Sequence, residues 1–262
     1  MAELLIRNKS IGFIKAIIFD KDGTLLNSEE CLLELAEIRI DFAVSKFKKL
    51  KINNIKIFLL KNLLKSVYGF KDQFLSANGS LAIASRQHNI ISTATIFTLF
   101  GFDWFKSLSL SEEIFDEVDC FLVKRRTNLQ KNRPLISGAS DLLFSLREKG
   151  VSIALMSNDT NAGIEEFIIE NNLEGVFDCL WSAENKPSKP NPKAVIELCK
   201  KMNFNPSEYA LISDADTDLK MAKEADMKLV IGFTGGWKNN PTLSEQRFII
   251  EKLNELKIHS SA

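Results

Sequence analysis

The run Ala16-Ile17-Ile18-Phe19 empties into Asp20-Lys21-Asp22-Gly23-Thr24, so a short apolar segment delivers two carboxylates with one residue between them. Acids at the end of an apolar strand are costly to bury unless a cation, a donor or a ligand meets them. Alternation along an extended segment points Asp20 and Asp22 to the same side. Gly23 frees the backbone immediately after the acids, and Thr24 adds a hydroxyl and an amide at the same corner. A carboxylate can attack phosphorus in line and split one hard hydrolysis into two easier steps. A second carboxyl beside it can give a proton to the leaving alkoxide and later take one from water. Asp20 is the expected nucleophile and Asp22 the expected acid and base. Two carboxylates facing a phosphoryl group repel it unless positive charge intervenes, which makes Mg2+ with oxygen ligands the expected cofactor. Taken alone, the segment also reads as an ordinary polar turn, since Asp and Gly dominate turns.

The elements that would position these acids decide between the two readings. Periodicity predicts a helix over 139–149 and an apolar strand over 151–156 ending at Ser157-Asn158-Asp159. A helix over 162–171, a strand over 177–181, a helix over 192–202 and a strand over 209–212 ending at Ser213-Asp214 continue the alternation. A helix over 218–225 and a strand over 229–233 complete it. Strands alternating with helices give the α/β class, here a Rossmann-like doubly wound parallel sheet. Ligands bind such sheets outside the carboxyl ends of the strands, so Asp20, Ser157 and Asp214 are expected at one rim. Between the first strand and Ser137 the pattern turns helical, with amphipathic stretches over 29–50, 52–67, 90–100 and 112–124. The expected organisation is an α/β core of residues 1–27 and 135–262 interrupted by an inserted α-helical cap of residues 28–134. Phe97, Phe100, Phe102, Trp104 and Phe105 are expected in the core of that insertion, and Arg86 on its surface.

Bulk properties narrow the functional classes. The 262 residues are 45% hydrophobic and 26% charged, ordinary globular material. Lys plus Arg and Asp plus Glu both number 34, so charge gives no global reason to expect nucleic acid or a membrane surface. Cys31, Cys120, Cys179 and Cys199 form no Cys-x-x-Cys pair, which argues against a zinc ribbon or a redox pair. His88 and His259 lack ligand spacing. The segment 1–19 lacks the features of a signal peptide, and no stretch approaches the ~18 uncharged apolar residues of a membrane helix. A cytoplasmic protein is expected.

Four segments in order resemble the haloacid dehalogenase superfamily, specifically its phosphatases with a helical cap inserted after the first strand. They are Asp20-Lys21-Asp22-Gly23-Thr24, Ser157 at the end of an apolar strand, Lys189-Pro190-Asn191-Pro192 before a helix, and Asp214 with Asp218 after the strand over 209–212. The resemblance covers residues 15–27 and roughly 135–235 by motif, and the cap mainly by position. It implies a small phosphorylated metabolite as substrate, with phosphoglycolate phosphatases the nearest subfamily. It places Ser157 and Lys189 on the phosphoryl oxygens, together with amides near Asp22 and Asn158, and Thr24 is grouped with these phosphate contacts. Asp20 and Asp214 are the expected side-chain metal ligands, to which the resemblance adds the main-chain carbonyl of Asp22. Asp218 is expected to hold a metal-bound water or to orient Lys189. Pro192 at the third position after Lys189 selects Lys189 over Lys186, as the family's Lys-Pro-x-Pro pattern requires. Asp216 is expected only to cap the helix that follows. Ser213 stands where the family commonly has glycine. A phosphomutase resembling beta-phosphoglucomutase and a non-catalytic scaffold for a partner or phosphorylated ligand are the alternatives. Dehalogenase chemistry is disfavoured because Asp22 supplies an acid that the family's dehalogenases lack.

Overall fold

Residues 1–71, 73–125 and 134–260 are described in the computed structural model. Ala2–Ile6 (β1) and Lys9–Ile14 (β2) form an antiparallel hairpin, turned through Arg7 and Asn8, both with positive φ. Ala16–Phe19 (β3) follows with every residue buried. The chain then forms Glu29–Lys49 (α1), Asn54–Tyr68 (α2), the two-residue strands Phe70–Lys71 (β4) and Phe74–Leu75 (β5), Ser80–Ile83 (α3), Arg86–Thr98 (α4) and Trp104–Arg125 (α5). Alternation resumes with Ala139–Glu148 (α6), Ser152–Met156 (β6), Asn161–Glu170 (α7), Cys179–Trp181 (β7), Pro192–Lys201 (α8), Tyr209–Ser213 (β8), Asp216–Glu224 (α9) and Leu229–Phe233 (β9). Phe248–Ile250 (β10) and Leu256–Ser260 (β11) close the described chain.

A six-stranded sheet runs β10-β9-β8-β3-β6-β7 with every pairing parallel. Its strands are apolar apart from Ser152 and Ser213 at two strand ends, because helices cover both faces. Ile17, Phe19, Ile153, Leu155, Ala210 and Ile212 enter one core cluster, while Ala16, Ile18, Ala154, Met156, Tyr209 and Leu211 enter the other. This is the period-two alternation of a pleated sheet buried on both sides. The fold is therefore the expected α/β, Rossmann-like sheet with an inserted helical segment.

Two compact units divide the chain: Met1–Ser28 with Pro134–Ala262, and Glu29–Arg133. In the first, β11, β1 and β2 make a separate antiparallel sheet whose Leu4, Ile6, Ile14, Leu256 and Ile258 join the same core cluster as Phe19. In the second, Phe47 of α1 meets the rings of Phe97, Phe100 and Phe102 at 5.0, 5.4 and 5.5 Å. Trp104 and Phe105 are exposed, contrary to expectation. The buried stripe of α5 runs through Ser107, Leu110, Ser111, Ile114, Phe115 and Val118, and Phe105 lies off it. Among the described residues no helix is long and apolar enough to cross a membrane.

Candidate active site

Three adjacent strands of the sheet end together because their registers are aligned. Phe19 pairs with Leu155 of β6 on one side and Ile212 of β8 on the other. The next residues out are therefore Asp20, Met156-Ser157 and Ser213-Asp214. The Asp20 amide donates to the Ile212 carbonyl at 3.0 Å and the Ser157 amide to the Trp181 carbonyl at 2.8 Å, so the ladder persists to the acids themselves.

Lys189 reaches this rim from the loop between β7 and α8. Asn191 caps α8 by accepting from the Lys193 amide, with Pro192 in its first turn. The loop is tied back where Trp181 Nε1 donates to the Pro187 carbonyl at 3.1 Å. Lys186 is exposed, whereas Lys189 is buried and bridges two acids. Its Nζ lies 2.5 Å from Asp20 Oδ1 and 2.6 Å from Asp218 Oδ2. Asp218 also accepts from Ser213 Oγ at 3.0 Å, so the side chain at the family's usual glycine position steadies the partner of the lysine. Burial opposes charge on Lys189, but Asp20 and Asp218 more than offset it and raise its pKa.

A second lysine, not anticipated from the sequence, repeats the arrangement. Lys21 is 1% exposed, and its Nζ lies 2.9 Å from Asp22 Oδ2 and 2.8 Å from Asp159 Oδ2. Its spacing between two acids carried no signal, because a lysine flanked by acids is normally solvated. Asp159, 138 residues away, makes its burial tolerable. Asp22 Oδ1 in turn accepts from Ser28 Oγ at 2.5 Å.

Thr24, expected to contact phosphate, has its hydroxyl committed elsewhere. Its Oγ1 donates to Asp214 Oδ1 at 3.0 Å and accepts from the Asp214 amide at 3.1 Å. Asp214 Oδ2 accepts from Trp237 Nε1 at 2.6 Å, a second partner the sequence did not indicate. Trp237 reaches it because the loop after β9 carries Gly235-Gly236, where a Cβ on Gly236 would collide with the Gly23 carbonyl. Gly23 itself has φ +79°, and a side chain there would strike both Asp214 and the Trp237 indole.

Ser157 does not cap a helix; Thr160 caps α7. Ser157 Oγ accepts from the Asp159 amide at 3.1 Å, which leaves its hydroxyl proton to donate. Asn158 follows it in the same loop. Asp216, expected to cap the helix it begins, instead binds the Ser244 and Glu245 amides and the Ser244 hydroxyl across a loop, because the cap position is Ala215. In the other unit Arg86 is paired with Asp116 and Asp119, and His88 is exposed.

The electrostatics of the rim are unbalanced. Of its five carboxylates, those of Asp22 and Asp159 share the Lys21 ammonium and those of Asp20 and Asp218 share Lys189, while Asp214 makes no ion pair among the described residues. Desolvation pushes the Asp20 carboxyl up to about 6, with Lys189 opposing and the charges of Asp218 and Asp22 adding to it. Desolvation and the charge of Asp20 hold Asp214 well above the usual carboxylate range. Two buried oxygen donors that repel each other are the chemistry of a site for a hard divalent cation. Each Asp214 oxygen accepts one hydrogen bond and keeps a lone pair for a metal. Among the described residues no group of three or more His, Cys, Asp or Glu side chains forms a ligand cage. Asp20 and Asp214 could offer such a cation two carboxylates, the remainder of its shell coming from other oxygen donors.

A stability measurement follows from the sign of the Asp20 shift. Because its folded pKa is raised from 3.8 to about 6, the native state binds protons that the unfolded chain releases across that window. Stability from this group is greatest below the window and is lost as pH rises through it. In chelator, the Tm of the native protein relative to Asp20→Asn is expected to fall as pH rises through this window. A flat difference would show that Asp20 is not destabilised by its surroundings.

A family model described as haloacid dehalogenase-like hydrolase matches residues 14–226. Phosphoglycolate phosphatase of Haemophilus influenzae is 25% identical over 236 residues, covering 88% of this chain and 90% of that one. Hexitol phosphatase B of Escherichia coli K12 is 25% identical over 129 residues, 49% of this chain and 58% of that one. Among solved structures, a predicted phosphoglycolate phosphatase from Haemophilus somnus superposes with TM-score 0.63 at 18% identity, over 92% of this chain and 96% of that one.

Proposed function

The chain belongs to the haloacid dehalogenase-like hydrolases, and we propose that it is a Mg2+-dependent phosphatase that hydrolyses a small-molecule phosphomonoester through an aspartyl phosphate at Asp20. The observation that carries this reading is the Lys189 ammonium held between Asp20 and Asp218 at the rim that Asp22 and Asp214 share. Lys189 occupies Asp20 Oδ1, which leaves Oδ2 as the attacking atom. Asp22 gives its proton to the leaving alkoxide and takes one from the water that cleaves the intermediate. Ser157 and Lys189 hold the phosphoryl oxygens, supported by amides near Asp22 and Asn158, as fixed donors aimed at developing charge. Asp20, Asp214 and the Asp22 carbonyl would hold the cation. Bound there, it neutralises charge between the carboxylates and the phosphoryl oxygens.

Phosphoglycolate and hexitol phosphates are the substrates to try first, on the names of the relatives. Phosphate release from a panel of metabolite phosphates, with and without Mg2+, tests the proposal. Metal-dependent release supports it and ranks the substrates. Silence across the panel from folded protein removes it in favour of a phosphomutase or a binding scaffold.

Lys21 gives this reading a specific pH signature. Its ammonium favours the Asp22 carboxylate, the form required when Asp22 acts as base. With Lys21→Met the acid limb of the pH–rate profile is expected to move up by about one unit, the usual effect of losing an adjacent opposite charge. An unmoved limb with a uniformly lower rate would reduce Lys21 to a structural role.

A further inference from the structure

Eight lysines and no Asp or Glu lie between Asp41 and Asp72, in a chain whose basic and acidic residues are equal in number overall. Among the described residues Lys46 alone of the eight makes an ion pair, with Glu113 and Glu117. Lys48, Lys49, Lys51, Lys56, Lys65 and Lys71 are exposed. The excess positive charge is thus local and open to solvent.

The helix that carries part of this charge buries one apolar stripe along its length and exposes a second apolar patch in its first half, with exposed Asn62 and Ser66 beyond it. α2 packs inward through Ile57, Leu60, Leu64 and Tyr68, the spacing of a single helical stripe. On its opposite side Ile55 is 81% exposed, Phe58 69% and Leu59 50%. At about 100° per residue, Lys56 and Lys65 fall on the two flanks of this outer stripe. The inner stripe is buried by the folding of α2, and the outer residues each keep half or more of their surface open to solvent. Leu50, just before α2, is also exposed and sits among Lys48, Lys49 and Lys51.

We propose that this corner, the end of α1 with the outer face of α2, docks on an anionic phospholipid bilayer. Large apolar side chains flanked by lysines match both layers of such a surface. Ile55, Phe58 and Leu59 enter the acyl boundary while the lysine stems extend along it and place their ammonium groups at lipid phosphates. A second copy of the chain would set this lysine-rich face against its own like charge. A nucleic acid would satisfy the lysines but offers little to Ile55 and Leu59. The attachment is to the surface and needs no spanning helix.

Co-sedimentation of the full chain with vesicles of equal parts phosphatidylglycerol and phosphatidylcholine, against phosphatidylcholine alone, tests the proposal. Binding is expected to the anionic vesicles only and to weaken with salt. The double variants Phe58→Ser/Leu59→Ser and Lys56→Glu/Lys65→Glu are each expected to lower partitioning by ~10-fold or more. All four positions point away from the buried face, so circular dichroism and thermal unfolding should match the native protein. Equal affinity for the two vesicle types, no binding to either, or binding retained in both variants overturns the proposal. A dimer that dissociates in Phe58→Ser/Leu59→Ser would overturn it too, by assigning the face to a second copy.

Discussion

Asp20→Asn is expected to lower phosphate release by at least ~10³-fold while leaving the protein as stable as before, or more so. An amide of nearly the same shape keeps the main-chain bond from Asp20 to Ile212 but is no nucleophile toward phosphorus. It also removes a buried acid whose pKa is raised, chiefly by desolvation, and whose charge adds to the desolvation that raises Asp214. The combination separates chemistry from folding: a dead enzyme with an unchanged or higher Tm in chelator. Activity within ~10-fold of the native protein would transfer the nucleophile's role to another group.

Lys189→Met should be the most destabilising single change at the rim. It removes the ammonium that Asp20 and Asp218 share and leaves both acids in a poorly solvated site without it. Removing one partner of a buried pair typically costs ~3–5 kcal/mol. The folded-state pKa of Lys189 lies above its ordinary value of 10.5, so its stabilisation is present at neutral pH and lost only as pH rises through the still higher folded value. Urea unfolding near neutral pH should therefore show the full loss. Phosphate release should fall by ~10²–10³-fold, as when one fixed donor to developing charge is removed. Adding Asp218→Asn should recover part of the stability, because it deletes one of the two stranded acids. A loss below ~1 kcal/mol would mean that the two acids do not depend on Lys189 as their counter-charge.

Legibility in the sequence followed the range of the interactions. β3, β6 and β8 could be read because each is a short apolar run that stops at a polar residue, and their helical partners because each repeats at one period. The sheet of β1, β2 and β11 could not, since Glu3 pairs with His259 from the far end of the chain and nothing local specifies that register. Phe105 was misplaced for a related reason: aromatic composition suggests burial, but the packed stripe of α5 decides which ring is covered.

The same division runs through the candidate site. The amino-acid sequence by itself determined the order of the acids, the lysine and the serine along the chain, and the strands whose carboxyl ends carry Asp20, Ser157 and Asp214, because strand period and turn chemistry are set by neighbouring residues. Only the tertiary structure decided which cation serves which acid. Lys21 became a buried bridge to Asp159, Thr24 became a support for Asp214 rather than a free hydroxyl, and Trp237 was brought onto the same carboxylate past two glycines. Those assignments depend on charges that meet across more than a hundred residues or on a loop that closes against Gly23, and the free energy of an ion pair or hydrogen bond depends on what surrounds it in space.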